Sequence, residues 1–231
     1  AVPGFLDNTV EQSPGFGFLR VDDGLASVPV SIEARNCPDG VMVAVVHLVV
    51  PVGSTLRFGP GVVVKAAGGL IVVVDGRLEV DGPTVFTSFS DDEHGGDTNG
   101  DGTLTGPGFD QWMGIALHSG STGTLERALV RCSGYAFIPA FTCDSPQIIL
   151  HGCRAELGGH GGFVLSAAQA ATDLVTFLVG GDGIQLAGGS FDLLRCTAAY
   201  DSGNGIRKTG AFTGRVRSSL AWGNLQSGFA G

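Results

Sequence analysis

The residues best suited to chemistry lie in one stretch, 89–115, FSDDEHGGDTNGDGTLTGPGFDQWMGI. Asp91, Asp92, Glu93, Asp97, Asn99 and Asp101 are interleaved there with Gly95, Gly96, Gly100 and Gly102. Short acidic side chains on a glycine-rich backbone can turn several oxygens toward one hard cation, which is what calcium requires. Asp97-x-Asn99-x-Asp101-Gly102 repeats the first half of an EF-hand loop, including the glycine of its sharp turn. The twelfth position is Gly108, so the bidentate Glu of such a loop is missing. Asp91, Asp92 or Asp110 would have to complete the shell from outside the linear motif. The expected ligand set is therefore Asp91, Asp92, Asp97, Asn99, Asp101 and Asp110, holding calcium. The competing reading is a solvated acidic turn whose Asp and Asn side chains cap their own backbone. Carboxylates this crowded repel one another unless a cation sits among them, which favours the metal.

Other reactive residue types are scattered. His94, His118, His151 and His160 have no spacing that places them on one ligand set, and they read as unrelated turn and surface residues. Arg131 precedes Cys132, Arg195 precedes Cys196, and Arg217 falls near the corresponding point. An outward row of these arginines would suit carboxylated sugars, although by sequence they lie several coils from the acidic loop. Five cysteines include no CxxC pair, so a zinc site of the usual spacing is not expected. Cys132, Cys143 and Cys153 are close enough for one disulfide among them, which would fit an oxidising compartment. No serine-nucleophile motif, phosphate loop or paired-Glu signature is present.

The elements that must position the loop are strands. Of 231 residues 39 are Gly, only 15% are charged and 43% are hydrophobic, a composition that folds rather than stays disordered. The net charge of −9 argues against nucleic-acid binding. No apolar run approaches the roughly 20 residues of a membrane span. Helix signals are confined to Ser166–Thr172 (SAAQAAT). RLEVDG alternates, with Leu78 and Val80 on one side and Arg77, Glu79 and Asp81 on the other.

A repeat appears in the second half: Gly162-Phe163, Gly183-Ile184, Gly205-Ile206 and Gly228-Phe229, each pair following a polar or glycine turn. Cys153, Cys196 and Ser219 take equivalent places about ten residues earlier. A drifting period near 22 residues with one Gly-apolar step marks a solenoid of three short strands per coil, stacked in parallel. Asp182 and Asn204 share a turn position and suit a polar ladder. Earlier in the chain, Pro60-Gly61, Gly68-Gly69, Asp75-Gly76 and Asp81-Gly82-Pro83 mark corners.

Residues Thr55 to Ile115 resemble a pattern of bacterial extracellular right-handed parallel β-helix proteins, the pectate-lyase-like solenoids. The matching residues are Pro60, Gly61, Val63, Val64, Lys65, Phe86-Thr87-Ser88, Asp91, Asp92, Gly95 to Asn99, Asp101, Gly102, Trp112, Gly114 and Ile115. They cover about a quarter of the chain. FDQWMGI departs from the more usual GDWGGI, which leaves the role of Asp110 open. The resemblance implies an all-β, right-handed parallel β-helix and an extracellular or cell-surface location. About ten coils are expected at 22 residues each. Residues 1–40 fit no repeat and suit an N-terminal cap, with the β-helix over 41–231 and the long acidic loop at 90–111. Ala1 suits a first residue after leader cleavage, and the closing SGFAG suits an array that continues. The expected function is a non-catalytic, calcium-stabilised secreted or surface protein serving adhesion, matrix or glycan contact. Its partner would be a polysaccharide or another surface protein. The alternative is a carbohydrate-active lyase or hydrolase acting on an acidic polysaccharide.

Overall fold

Short β-forming runs joined by turns of a few residues cannot double back as hairpins and still keep every strand parallel. The chain instead winds, and each winding lays its strands on those of the last. The computed structural model describes residues 47–167 and 170–231, with strand segments 9–13, 16–21, 31–33 and 41–44 ahead of them.

Three faces result. The first stacks Ser31–Glu33, Thr55–Phe58, residues 77–81, residues 122–126, Ile148–His151, Ala170–Thr172, Gly189–Leu194 and Phe212–Arg217. The second stacks Phe16–Val21, Val41–Ala44, Val63–Ala66, residues 84–88, residues 128–131, Arg154–Glu156, Val175–Phe177, Thr197–Ala199 and Leu220–Trp222. The third runs Leu48–Val50, Ile71–Val74, Gly114–Leu117, Phe141–Cys143, Phe163–Leu165, Ile184–Leu186, Ile206–Lys208 and Phe229–Ala230. All these pairings are parallel, so the fold is an all-β parallel β-helix. Among the described residues only Thr9–Ser13 pairs antiparallel, with Phe16–Val21.

The third sheet has eight strands, one per coil, giving about eight turns rather than ten. The acidic loop accounts for part of the shortfall, because its residues leave the winding altogether. Most of the expected cap, 1–40, lies outside the described residues. Within it, Phe16–Val21 and Ser31–Glu33 already pair in parallel with later strands.

From Arg127 onward, two corners of each coil turn on a single left-handed residue. Between the first and second faces these are Arg127, Gly152, Asp173, Arg195 and Ser218; between the second and third, Cys132, Leu157, Leu178, Tyr200 and Gly223. Positive φ costs a non-glycine residue about 1–2 kcal/mol, and here the coil stack holds it. Cys153, Cys196 and Ser219 each follow the first of these corners, as their common repeat position required.

The Gly-apolar step opens the third face, where Phe141, Phe163, Ile184, Ile206 and Phe229 are successive register partners. Phe141 and Phe163 stack with ring centroids 4.7 Å apart. The glycines permit the close stacking: a Cβ at Gly183 would stand 2.2 Å from Asp201 Oδ2 and 2.7 Å from the Gly205 carbonyl. Leu78 and Val80 point inward as their alternation indicated.

Two further expectations fail. Ala170–Thr172 is a strand of the first face, because the coil needs one there and SAAQAAT has no amphipathic stripe to favour a helix. Cys132, Cys143 and Cys153 form no disulfide; they occupy a corner, the third face and a different corner, and each thiol is free and buried. Burial pushes the Cys143 thiol up to about 11 and the Cys153 thiol up to about 12. Cys37 lies outside the described residues.

Candidate cation site on the acidic loop

The chain leaves the second face after Ser88 and rejoins the third at Gly114. Between them the loop lies back over outward-pointing residues of the second face. Lys65 and Thr87 are register partners there, and the Arg131 strand stacks next. The loop covers all three: Lys65 and Thr87 are fully buried and Arg131 nearly so.

Each is engaged. Lys65 Nζ donates to the Gly96 carbonyl. Burial lowers the Lys65 pKa, with the charges of Asp91, Asp92 and Asp97 pulling the other way. Thr87 Oγ1 donates to Asp91 Oδ2 at 2.6 Å. Arg131 Nη2 donates to Glu93 Oε2 at 2.7 Å, and Nη1 lies 3.3 Å from Asp91 Oδ2 and against His94. Burial works against the Arg131 charge, but the Glu93 hydrogen bond and Asp91 outweigh it and raise its pKa. Burial likewise raises Asp91, yet hydrogen bonds from His94 and Thr87 and the nearby Arg131 hold it below the usual carboxylate range. Sequence spacing put the arginines far from the acidic loop, and the structure corrects this for Arg131. One turn of the helix brings 131 next to 87. The lone early lysine in PGVVVK was the available signal that something basic underlies the loop.

The expected ligands divide. Asp92, Asp97 and Asp101 each bring a carboxylate oxygen to one place, all within 4.8 Å of one another. Asp97 accepts backbone N–H groups from Gly100 at 2.7 Å, Asp101 at 3.2 Å and Gly102 at 2.8 Å. These bonds, the Gly102 one foremost, lower its pKa. Asn99 Nδ2 donates to Asp101 Oδ2 at 2.9 Å and so steadies that carboxylate. Asp92 Oδ1 is buried without a hydrogen-bond partner. Desolvation, then the negative charge of Asp97, raises the Asp92 pKa, with Lys65 opposing.

Asp91 faces inward to Thr87, His94 and Arg131, and Asp110 stands apart. The Asp110 carboxylate lies over Gly134 and Gly159, so closely that a Cβ at Gly159 would meet Oδ1 at 1.6 Å, and it is 3.7 Å from His160 Nε2. The structure thus gathers three of the six residues around one point, holds Asn99 beside them and places Asp91 and Asp110 elsewhere. Asp91, Glu93 and His94 form a second acidic group, but the Arg131 guanidinium already fills the place of a cation there.

The remaining motifs sort by coil. Asn204 Nδ2 and N both donate to Asp182 Oδ1 at 2.8 Å, the polar ladder expected. Arg195 pairs with Asp173 and Arg217 with Asp192, at different places on the coil, so no open row of arginines forms. His118, His151 and His160 meet Asp75, Thr172 and Phe137 respectively, and no two of them share a partner. Among the described residues no helix is long and apolar enough to cross a membrane.

The class that these observations define is the parallel β-solenoid. Comparison with known proteins gives no family model, curated relative or solved structure that matches the chain significantly.

Proposed function

We propose that this chain is a non-catalytic secreted or cell-surface β-solenoid, stiffened by calcium on its acidic loop and serving adhesion, matrix or glycan contact. The observation that carries the reading is the convergence of Asp92, Asp97 and Asp101, with Asp92 Oδ1 buried and unpartnered. An unsatisfied buried carboxylate oxygen is costly, and a hard cation bound by all three acids relieves both that cost and their repulsion. Asp97, already fixed by three backbone donors, is preorganised for this role. Asn99 adds an amide oxygen, and water completes the shell. Because the loop crosses three coils, ion binding becomes folding free energy for this part of the rod.

The chelated protein is expected to melt at a higher temperature as calcium is added, saturably, with little response to magnesium. Asp92→Asn combined with Asp97→Asn is expected to abolish the rise. Acidification should weaken the site early, because the raised Asp92 carboxyl takes up its proton above the ordinary carboxylate range. Absence of any calcium-specific shift would remove the ion from this reading.

A second reading, an enzyme acting on an acidic polysaccharide, draws on the meeting of Arg131, His94 and Glu93. Against it, both terminal nitrogens of Arg131 are engaged and its side chain is covered. Chain shortening of an acidic polysaccharide, lost in Arg131→Lys, would favour that reading over the first.

A further inference from the structure

The outward side of the second face differs from the other two. Its strands present two columns in register: Leu129, Arg154, Val175, Thr197 and Leu220 in one, Arg131, Glu156, Phe177, Ala199 and Trp222 in the other. From Val175 onward neither column holds a charge. On the same coils the first face carries Asp192, Arg215 and Arg217, and the third carries Gln185 and Arg207.

Aromatic rings stand over this uncharged strip. Phe177 is 38% exposed, Tyr200 51% and Trp222 61%. Tyr200 turns out of its left-handed corner to meet both neighbours. Its ring centroid is 5.8 Å from that of Phe177, and its hydroxyl accepts a hydrogen bond from Trp222 Nε1 at 3.2 Å. Phe177 and Trp222 belong to strands two coils apart, about 10 Å along the stack.

Toward the acidic loop the same face opens into a cleft of about 330 Å³, with Pro83, Val85 and Leu129 as apolar lining and Arg127, Gly152 and Arg154 at its border. Arg127 occupies a left-handed corner between Gly82 and Gly152 of the adjoining coils, whose missing side chains leave room beside its Nη2 and its Cγ respectively, and it is exposed. Seven arginines pair with an acid. Arg127 has no such partner among the described residues. An unpaired guanidinium on a chain of net charge −9 is a local invitation to an external anion.

We propose that the second face between Arg127 and Trp222 binds an anionic glycan, with sugar rings on Phe177, Tyr200 and Trp222 and an acid group on Arg127, Arg154 beside it. The inference rests on the glycan-contact reading above and gives it a place and a ligand class. Sugar rings have apolar C–H faces that suit exposed aromatic rings, whose π faces are negative. An extended polymer laid along the stack meets a new platform every coil or two. A peptide strand has no such opening, because the backbone groups of the face are already spent on the ladder and strand addition needs a free sheet edge.

Trp112 is buried, so of the two tryptophans only Trp222 can report a surface ligand. The intact protein would be titrated with hyaluronan hexasaccharide, which carries carboxylates, and with neutral chitohexaose, following fluorescence and heat. Saturable quenching by the hyaluronan fragment is expected, with much weaker binding of chitohexaose. Arg127→Gly keeps the left-handed corner, as Gly152 does on the next coil, and should weaken binding about tenfold or more. Trp222→Ala, followed by calorimetry, should weaken it by a similar factor. Arg215→Ala on the first face should leave it unchanged, and matched melting temperatures check that every variant folds. Hyaluronan binding that survives both second-face variants overturns the placement while sparing glycan contact. Equal binding of chitohexaose overturns the anionic class. No binding of either sugar overturns the proposal and the glycan-contact reading together.

Discussion

At the scale of single residues, the interior of this rod is less uniform than its Val, Leu and Phe content suggests. Asp201 is fully buried and accepts hydrogen bonds from Thr176 Oγ1 at 2.8 Å and Val179 N at 3.2 Å. Burial pushes its carboxyl up to about 6, against the pull of those two donors. The folded state therefore holds this proton more tightly than the unfolded chain, whose carboxyl titrates near its ordinary value. Stability from this group is greatest at low pH and is lost as pH rises through about 6. Denaturant unfolding of wild type and Asp201→Asn at pH 4.5 and 7.5 checks this. The variant should gain relative to wild type at the higher pH, and a constant difference would refute the titration. Gly183, which packs against that carboxylate, makes a second residue-scale case. Gly183→Ala is expected to cost about 1–3 kcal/mol through overpacking. Gly106→Ala, whose Cβ would meet nothing within 4 Å, should be nearly neutral in the same melts.

At the scale of elements, what the sequence made legible followed from local spacing. The step Gly162-Phe163 to Gly228-Phe229 located the third face because the close contacts at Gly162, Gly183 and Gly205 leave no room for a Cβ and an apolar residue must fill the core beside each. Asp97-x-Asn99-x-Asp101 was legible for the same reason, since its donors and acceptors lie within five residues. The rest depended on what the winding brings together. Lys65, Thr87 and Arg131 meet under the loop although 66 positions separate the first from the last. Asp110 belongs to the loop in sequence yet ends against Gly159, because the chain has already turned toward the next coil. The aromatic strip was equally hidden. Phe177 and Trp222 share an outward column only once the register of two intervening pairings is known, and Tyr200 joins them from a corner where a left-handed tyrosine is not anticipated.

At the scale of the whole molecule, each coil touches only its neighbours, so stability is a sum over adjacent contacts. The middle of the stack joins large buried residues on both sides, Ile115, Phe141 and Phe163 among them. In the last coil Val216, Leu220 and Phe229 are exposed. Amide exchange is expected to be slowest over residues 115–165 and fastest over 212–231, grading between them. A single uniform protection factor throughout would mean that the rod opens as one unit.

The three corners differ in the lengths they tolerate. Between the first and second faces the later coils pass with two residues, 152–153, 173–174, 195–196 and 218–219. Between the second and third faces the connection takes six residues in the last coils, nine at 132–140 and twenty-five at 89–113. Among residues 47–231, every connection longer than four residues falls at that one edge, without shifting a ladder on either side. The edge is thus the insertion port of the scaffold, where new sequence can be tried at little risk to folding. A foreign loop spliced between Tyr200 and Gly205 should leave the winding intact, while the same splice between Leu194 and Thr197 should unwind it.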